Sequence, residues 1–312
     1  MGYDTSFHPV DLRLIEERLL PYLAGLGDDD AIDDLVARAV ETRKVRFRAK
    51  AWALGLLAHA RDRDDLPFDS HVHVWGRPFL IVGDGPERIA EDIRRYLAAP
   101  VEGVDALASE MVGRLDPALR DRVRPDEGGR LPADGVLADS LAGPLRVLRG
   151  AAQALRAGER TVRRPGDGRE LDAAALVTRE VPFNVLDFAA ALLPGWMSRG
   201  HTWPTRLCAG AGVPAEGFEA PTALTGLLRE RFPTLEWPSA PASITGNYTV
   251  GALVPASAVP GARSRLLAHR DRLDCEEREI RKIDEAMGVA EVFGVAFCEA
   301  TEIYSGLEGN LN

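Results

Sequence analysis

The chain has 312 residues, of which 46% are hydrophobic and 28% are charged, and its formal net charge is −10 at pH 7. These fractions are ordinary for a globular protein, so they exclude a chain that is disordered throughout. Because excess negative charge repels phosphate backbones, we expect no nucleic-acid partner.

The sequence shows no targeting segment and no cysteine motif. Residues 1–10 contain neither a basic stretch nor an apolar core, so they predict no signal peptide. No window reaches the roughly 18 uninterrupted apolar residues of a transmembrane helix, and we therefore expect no membrane partner. The three cysteines lie far apart and form no CxxC pair, which excludes a disulfide framework and a cysteine-type zinc module. Together these features predict a cytoplasmic protein.

The N-terminal part of the chain is predicted to form a strand followed by helices. The strand lies near residues 3–9, and Asp11 then provides a helix N-cap ahead of leucines and isoleucine at helical spacing. A long helical pattern runs from about 31 to 61. It carries a basic strip, which we interpret as a solvated or salt-bridged helix face, formed by Arg43, Lys44, Arg46, Arg48 and Lys50.

The segment 71–82 is predicted to be a strand. It begins with the alternating run His-Val-His-Val-Trp and ends with Phe-Leu-Ile-Val, both rich in β-forming residues. Pro78 predicts a kink, a bulge or an edge position there, because proline cannot donate a backbone N–H to a neighbouring strand. Residues 83–86 then predict a turn into another helix.

The remainder of the chain is predicted to be mostly helical, with two further strands. Residues 100–180 are helical and polar, and the arginine, proline, glycine and aspartate run at 163–168 predicts an exposed loop. Residues 194–221 are dense in proline, glycine and tryptophan and lack periodicity, so they predict a long irregular segment. Strands follow near residues 246–254 and 292–303.

These elements predict a helix-rich α+β fold. Because the strands are separated by helices, a small mixed β-sheet with helices packed on it fits the pattern best. The length is that of a single large α+β domain spanning residues 1–312, with a weak subdivision at the 163–168 loop into 1–162 and 169–312. The predicted sheet is built from the strands near residues 3–9, 71–82, 246–254 and 292–303.

His71 and His73 are the main candidates for chemistry. In a strand, residues two apart point to the same face, so both imidazoles would lie together with Trp75 beyond them. His8 ends the first strand, and the three histidines together would bind a divalent metal ion. The alternatives are a metal-free catalytic role for His71 or His73, since histidine titrates near neutrality, or a structural role in a half-buried sheet. Carboxylate ligands for a mixed site would come from Asp69, Glu299 or Glu302.

A second candidate site lies between residues 183 and 206. Asp187 sits in an apolar helix and needs a partner if it is buried. The irregular segment after it collects aromatic, arginine and histidine side chains that could line a pocket for a polar or anionic ligand. The alternative is that the tryptophans pack an irregular connector against the core. The catalytic candidates here are Asp187 and His201, and the ligand-binding candidates, together with Trp75, are Trp196, Arg199, Trp203 and Arg206.

Three functional hypotheses follow. The first is a metal-dependent or histidine-using enzyme that acts on a small polar substrate. The second is a non-catalytic interaction protein, of immunity or regulatory type, whose acidic surface meets a protein partner. The third is a small-molecule binder that uses the Trp196–Arg206 loop. The sequence contains no P-loop, GxSxG or HExxH motif, so none of the corresponding enzyme classes is indicated.

Overall fold

A computed structural model describes residues 4–60, 68–198, 202–239, 244, 246–301 and 303. The chain forms a helix-rich α+β fold with one four-stranded sheet and one two-stranded sheet. Among the helices of these residues, none is long and apolar enough to cross a bilayer.

The larger sheet is antiparallel throughout, with the strand order β4-β1-β6-β5. The sequence predicted a mixed sheet, and that prediction is wrong because every strand pair of the larger sheet is antiparallel. Three predicted strands are present, those near residues 3–9, 246–254 and 292–303. The fourth strand is a three-residue segment inside the predicted irregular region, paired with β1. The strands are β1 Thr5–Val10, β2 Thr161–Arg163, β3 Glu170–Asp172, β4 Trp196–Ser198, β5 Val250–Val254 and β6 Ala296–Thr301.

Twelve α-helices are distributed along the described chain. Several are continued by π-helical or 3-10 turns, such as the π-helical turn Ile15–Leu19 between the first two. The helices are α1 Leu12–Leu14, α2 Leu20–Leu23, α3 Asp33–Ala60, α4 Pro86–Ala98, α5 Val104–Leu115, α6 Asp134–Arg156, α7 Ala173–Ala175, α8 Val181–Leu192, α9 Pro204–Gly210, α10 Gly226–Arg231, α11 Val259–Ala268 and α12 Glu277–Phe293.

Helices cover both faces of the larger sheet, so every residue of β1, β5 and β6 is buried. Side chains alternate between the two faces of each strand. Phe7 and Phe297 stack on the face that packs against α12. Val10 and Cys298 belong to the opposite face, which packs with α8 and α6. A strand that is covered on both faces has apolar side chains at successive positions. This explains why the sequence of β5 does not alternate between apolar and polar residues.

The predicted strand at 71–82 is wrong. His71–Gly76 is a π-helical turn, and residues 77–82 are buried but irregular. Side chains bind the backbone carbonyls that a neighbouring strand would otherwise bind. Lys50 Nζ donates to the carbonyls of Val74 and Arg77, at 2.5 and 2.6 Å, and Arg46 Nε donates to that of Pro78. Because buried carbonyls need partners of some kind, these bonds make the non-strand conformation stable.

Two hydrophobic clusters form the core, one on each side of the larger sheet. The first cluster joins α6, before the 163–168 loop, to α8, after it. The loop itself lies between β2 and β3, which form the two-stranded hairpin. The single-domain organisation stays a prediction. It is supported by the packing of α6 against α8, because these helices lie on opposite sides of the 163–168 loop in the sequence.

Candidate functional site

His8 lies at the point where strand β1 loses its neighbour on one side. Strand β4 pairs with β1 only from Thr5 to Phe7, where Phe7 lies opposite Trp196. Beyond that point β1 is an edge strand on this side, which accommodates Pro9 because an edge strand need not donate every N–H. His8 therefore sits beside the end of β4, on the sheet face that packs against α8.

The His8 side chain is buried, with 2% of its surface exposed. Neither ring nitrogen has a hydrogen-bond partner among the described residues. Burial, together with the nearby Arg46 charge, lowers the pKa of His8 to about 3, so the ring is neutral at physiological pH. The ring packs directly on Gly195, where an added Cβ would lie 2.3 Å from His8 Nδ1. Such an unsatisfied buried imidazole requires either a ligand or an ordered water molecule.

The space in front of His8 is a narrow polar recess, which we call the His8 recess. Its volume is about 360 Å³ including the part open to solvent, and about 10 Å³ of it admits the centre of a water molecule. The latter is about the space of one water molecule. The recess lies between β1, α3, α8 and the segment that leads into β4, and its polar lining consists of His8, Thr42, Arg43, Arg46 and Asp187.

Charged side chains approach the His8 recess from two helices. Arg43 and Arg46 lie three residues apart on α3, so both can reach one face of the helix. Asp187 on α8 lies opposite them, and burial raises its pKa while the Arg43 charge partly offsets that effect. The recess therefore contains two cations, one carboxyl group and one neutral imidazole.

The structure does not bring the predicted histidine trio together. On a π-helical turn, residues two apart point to different sides, and His71 is exposed while His73 is buried. His73 Nδ1 lies 2.8 Å from the Asp69 carbonyl oxygen, and its ring meets Phe68 edge-on. No group of three or more His, Cys, Asp or Glu side chains in the described part of the chain is placed to hold a metal ion. A metal site formed by His8, His71 and His73 is therefore unsupported by the described structure.

The Trp196–Arg206 segment is packed rather than open where the structure describes it. Trp196 is fully buried in β4, and its Nε1 donates to Glu285 at 3.1 Å. Trp203 is buried, and the exposed Arg206 guanidinium lies 5.3 Å from its ring centroid. Trp75 is half-buried and packs on the second core cluster. These contacts favour the structural alternative for the tryptophans. Two further candidates, Arg199 and His201, lie outside the described residues.

Glu299, a predicted carboxylate ligand, is buried on the other face of the sheet from His8. Its carboxylate accepts hydrogen bonds from the Thr205 hydroxyl and from the backbone N–H groups of Thr205 and Ala252. Burial raises its pKa to about 7, because these bonds only partly offset the loss of hydration. The carboxyl group therefore links α9 and β5 to β6 through hydrogen bonds. Glu302 lies outside the described residues.

Sequence reasoning missed the part that Arg43 and Arg46 play. Both were assigned to a solvated or salt-bridged helix face, yet Arg43 is only 7% exposed and both side chains line the His8 recess. The available signal was its position, because it continues the buried stripe of Val36, Ala39 and Val40 at helical spacing.

Comparison with known proteins identifies no relative. No protein-family model, curated protein or solved structure matches the chain.

Proposed function

We propose that this protein binds a small molecule through an oxyanion group, such as a carboxylate, in the His8 recess. The observation that carries the proposal is the buried His8 ring, which lines a recess with two arginines and has no hydrogen-bond partner for either nitrogen among the described residues. A neutral imidazole offers one donor and one acceptor, so its N–H can bond an oxyanion while its other nitrogen accepts from a hydroxyl group, an amino group or a water molecule.

The charges of the His8 recess favour an anionic group. Arginine presents a planar fork of N–H donors that matches a carboxylate. Arg43 and Arg46 both line the recess together with the single carboxyl of Asp187, and Arg46 also donates its Nε–H to the Pro78 carbonyl. Asp187 is placed to accept a hydrogen bond from a hydroxyl or amino group on the same ligand.

Recognition fits His8 better than acid–base catalysis does. An efficient catalytic base has a pKa near the working pH. Because the pKa of His8 is about 3, the ring is a weak base and is not the imidazolium that a general acid requires near neutrality. We therefore place the protein with small-molecule binders, as in the third sequence-based hypothesis but at the His8 recess instead of the Trp196–Arg206 loop. A cytoplasmic location also stays a proposal, supported by three free cysteines.

The test is thermal unfolding in sodium acetate against sodium chloride at equal ionic strength. Acetate binding only to the folded state raises the melting temperature as its concentration increases. His8→Leu replaces the ring with an apolar side chain and should abolish the acetate effect. His71→Leu is the matched control, because His71 is an exposed histidine outside the recess, and it should keep the effect.

Two results would contradict the proposal. One is an equal rise in melting temperature with acetate in the parent protein and in His8→Leu. The other is no rise above that of chloride in the parent protein at any concentration.

A further inference from the structure

A second cavity lies at the other end of helix α8 from the His8 recess. It is lined by the start of α8, by α10 and the segment after it, and by the turn that leads into β5. Its volume is about 700 Å³ including its open mouth, and about 180 Å³ of it admits the centre of a water molecule. This size is typical of small-molecule sites. We call it the Trp237 pocket.

Aromatic rings form walls of the Trp237 pocket. Trp237 is half-buried, and its Nε1 donates to the Phe232 carbonyl at 3.1 Å, which fixes the orientation of the indole. Phe183 meets Tyr248 edge-on, with 5.5 Å between the ring centroids. Rings held in this way present flat apolar surfaces on which a planar ligand can stack.

The charge in the Trp237 pocket is entirely positive. Arg179 and Arg229 line it, and no carboxylate is among its lining residues. The Arg229 guanidinium lies 5.4 Å from the centroid of the Trp237 ring. Neither arginine forms an ion pair with another residue in the described ranges. Two cations without counter-charges are unusual on a protein whose net charge is −10, and they complement an anion.

Tyr248 is held in the Trp237 pocket at a conformational cost. Its φ of 57° makes it the only non-glycine residue with positive φ in the part of the chain that the structure describes. Its side chain is 78% exposed although it is large and mostly apolar. A left-handed backbone costs a residue with a side chain on the order of 1–2 kcal/mol. Strain of this kind persists at sites where the ring position serves binding.

From these observations we infer that the Trp237 pocket is a second binding site, independent of His8, for a planar aromatic anion such as an aromatic carboxylate. The ring of the ligand stacks among Trp237, Phe183 and Tyr248. Its carboxylate lies between Arg179 and Arg229.

Benzoate and benzamidine provide a matched pair of probes, because they share a ring and carry opposite charges. Titration of the full-length protein, followed by amide NMR spectra, should show saturable benzoate binding and at least about tenfold weaker benzamidine binding. Arg229→Met should weaken benzoate binding about tenfold, the loss expected for one charge-assisted bond. Arg206→Met is the control variant, since it removes the same kind of arginine–tryptophan contact elsewhere, and it should bind benzoate as the parent does.

Two further variants keep this inference separate from the His8 proposal. Tyr248→Ala removes an exposed ring, so the variant should fold normally. It should nevertheless bind benzoate more weakly than the parent protein does. His8→Leu should bind benzoate unchanged, because His8 does not line the Trp237 pocket. Absence of benzoate binding, equal binding of benzamidine, no effect of Arg229→Met, or loss of binding in His8→Leu would each overturn the inference.

Discussion

The contribution of His8 to the stability of this protein should fall in acid. The pKa of a histidine is 6.5 in the unfolded chain, whereas burial lowers it to about 3 in the folded state. Between these values the unfolded state binds more protons, so the free energy of unfolding decreases as the pH falls below about 6.5. His8→Gln removes the titrating group and should therefore remove its contribution.

The size of the effect follows from the two pKa values. A shift of one pKa unit corresponds to about 1.4 kcal/mol. From about pH 7.5 to pH 4, the His8 contribution should cost the folded state about 3 kcal/mol. The side chain is 2% exposed, so solvent screening reduces this value little. A loss this large is a sizeable fraction of the stability of an ordinary domain.

The assay is urea unfolding followed by tryptophan fluorescence at a series of pH values. The quantity to compare is the free energy of unfolding of the parent protein minus that of His8→Gln, because other titrating groups cancel in this difference. The difference should become more negative by about 3 kcal/mol as the pH is lowered to about 4. His71→Gln, at an exposed position, is the control and should parallel the parent. A difference that does not change with pH would refute the reasoning.

Three other substitutions test the surrounding structure. Because burial raises the pKa of Glu299 to about 7, the free energy of unfolding of the parent minus that of Glu299→Gln should become more negative by about 3 kcal/mol as the pH rises from about 4.5 to 7, in the same unfolding series. Gly195→Ala should destabilise the fold by about 2 kcal/mol in urea unfolding, since its Cβ would lie 2.3 Å from the Phe7 carbonyl oxygen. Arg77→Met should cost about 3 kcal/mol in the same assay, because it leaves the buried Glu285 without its bidentate partner; an unchanged urea midpoint for either variant would contradict these two expectations.

The fold class could be predicted because its signals are local. β1 and β6 are short runs bounded by turn residues, and α3 follows an apolar stripe over many turns. The segment 71–82 could not be predicted, since its conformation depends on Lys50 and Arg46, which bind its carbonyls from a distant helix. Strand β4 is three residues long and is defined by its pairing with β1.

The candidate site could be predicted only in part. Sequence reasoning named His8 and Asp187, yet assigned them to different sites, and the contact between β1 and α8 is what places both in one recess. The Trp237 pocket joins residues from α8, α10 and the turn before β5, and no spacing within the sequence indicates that they meet. Anion-binding side chains are visible in a sequence as residue types, but their convergence depends on tertiary packing.

The central claim is that His8 binds an oxyanion as a neutral imidazole, and the ring nitrogens report on it directly. The measurement is an NMR titration of the histidine side-chain nitrogens with acetate near pH 7, at constant ionic strength. We expect saturable shifts at His8 alone, with the ring remaining a neutral tautomer. Unchanged His8 signals at saturating acetate, or a ring that titrates as an imidazolium near pH 6.5, would contradict the account.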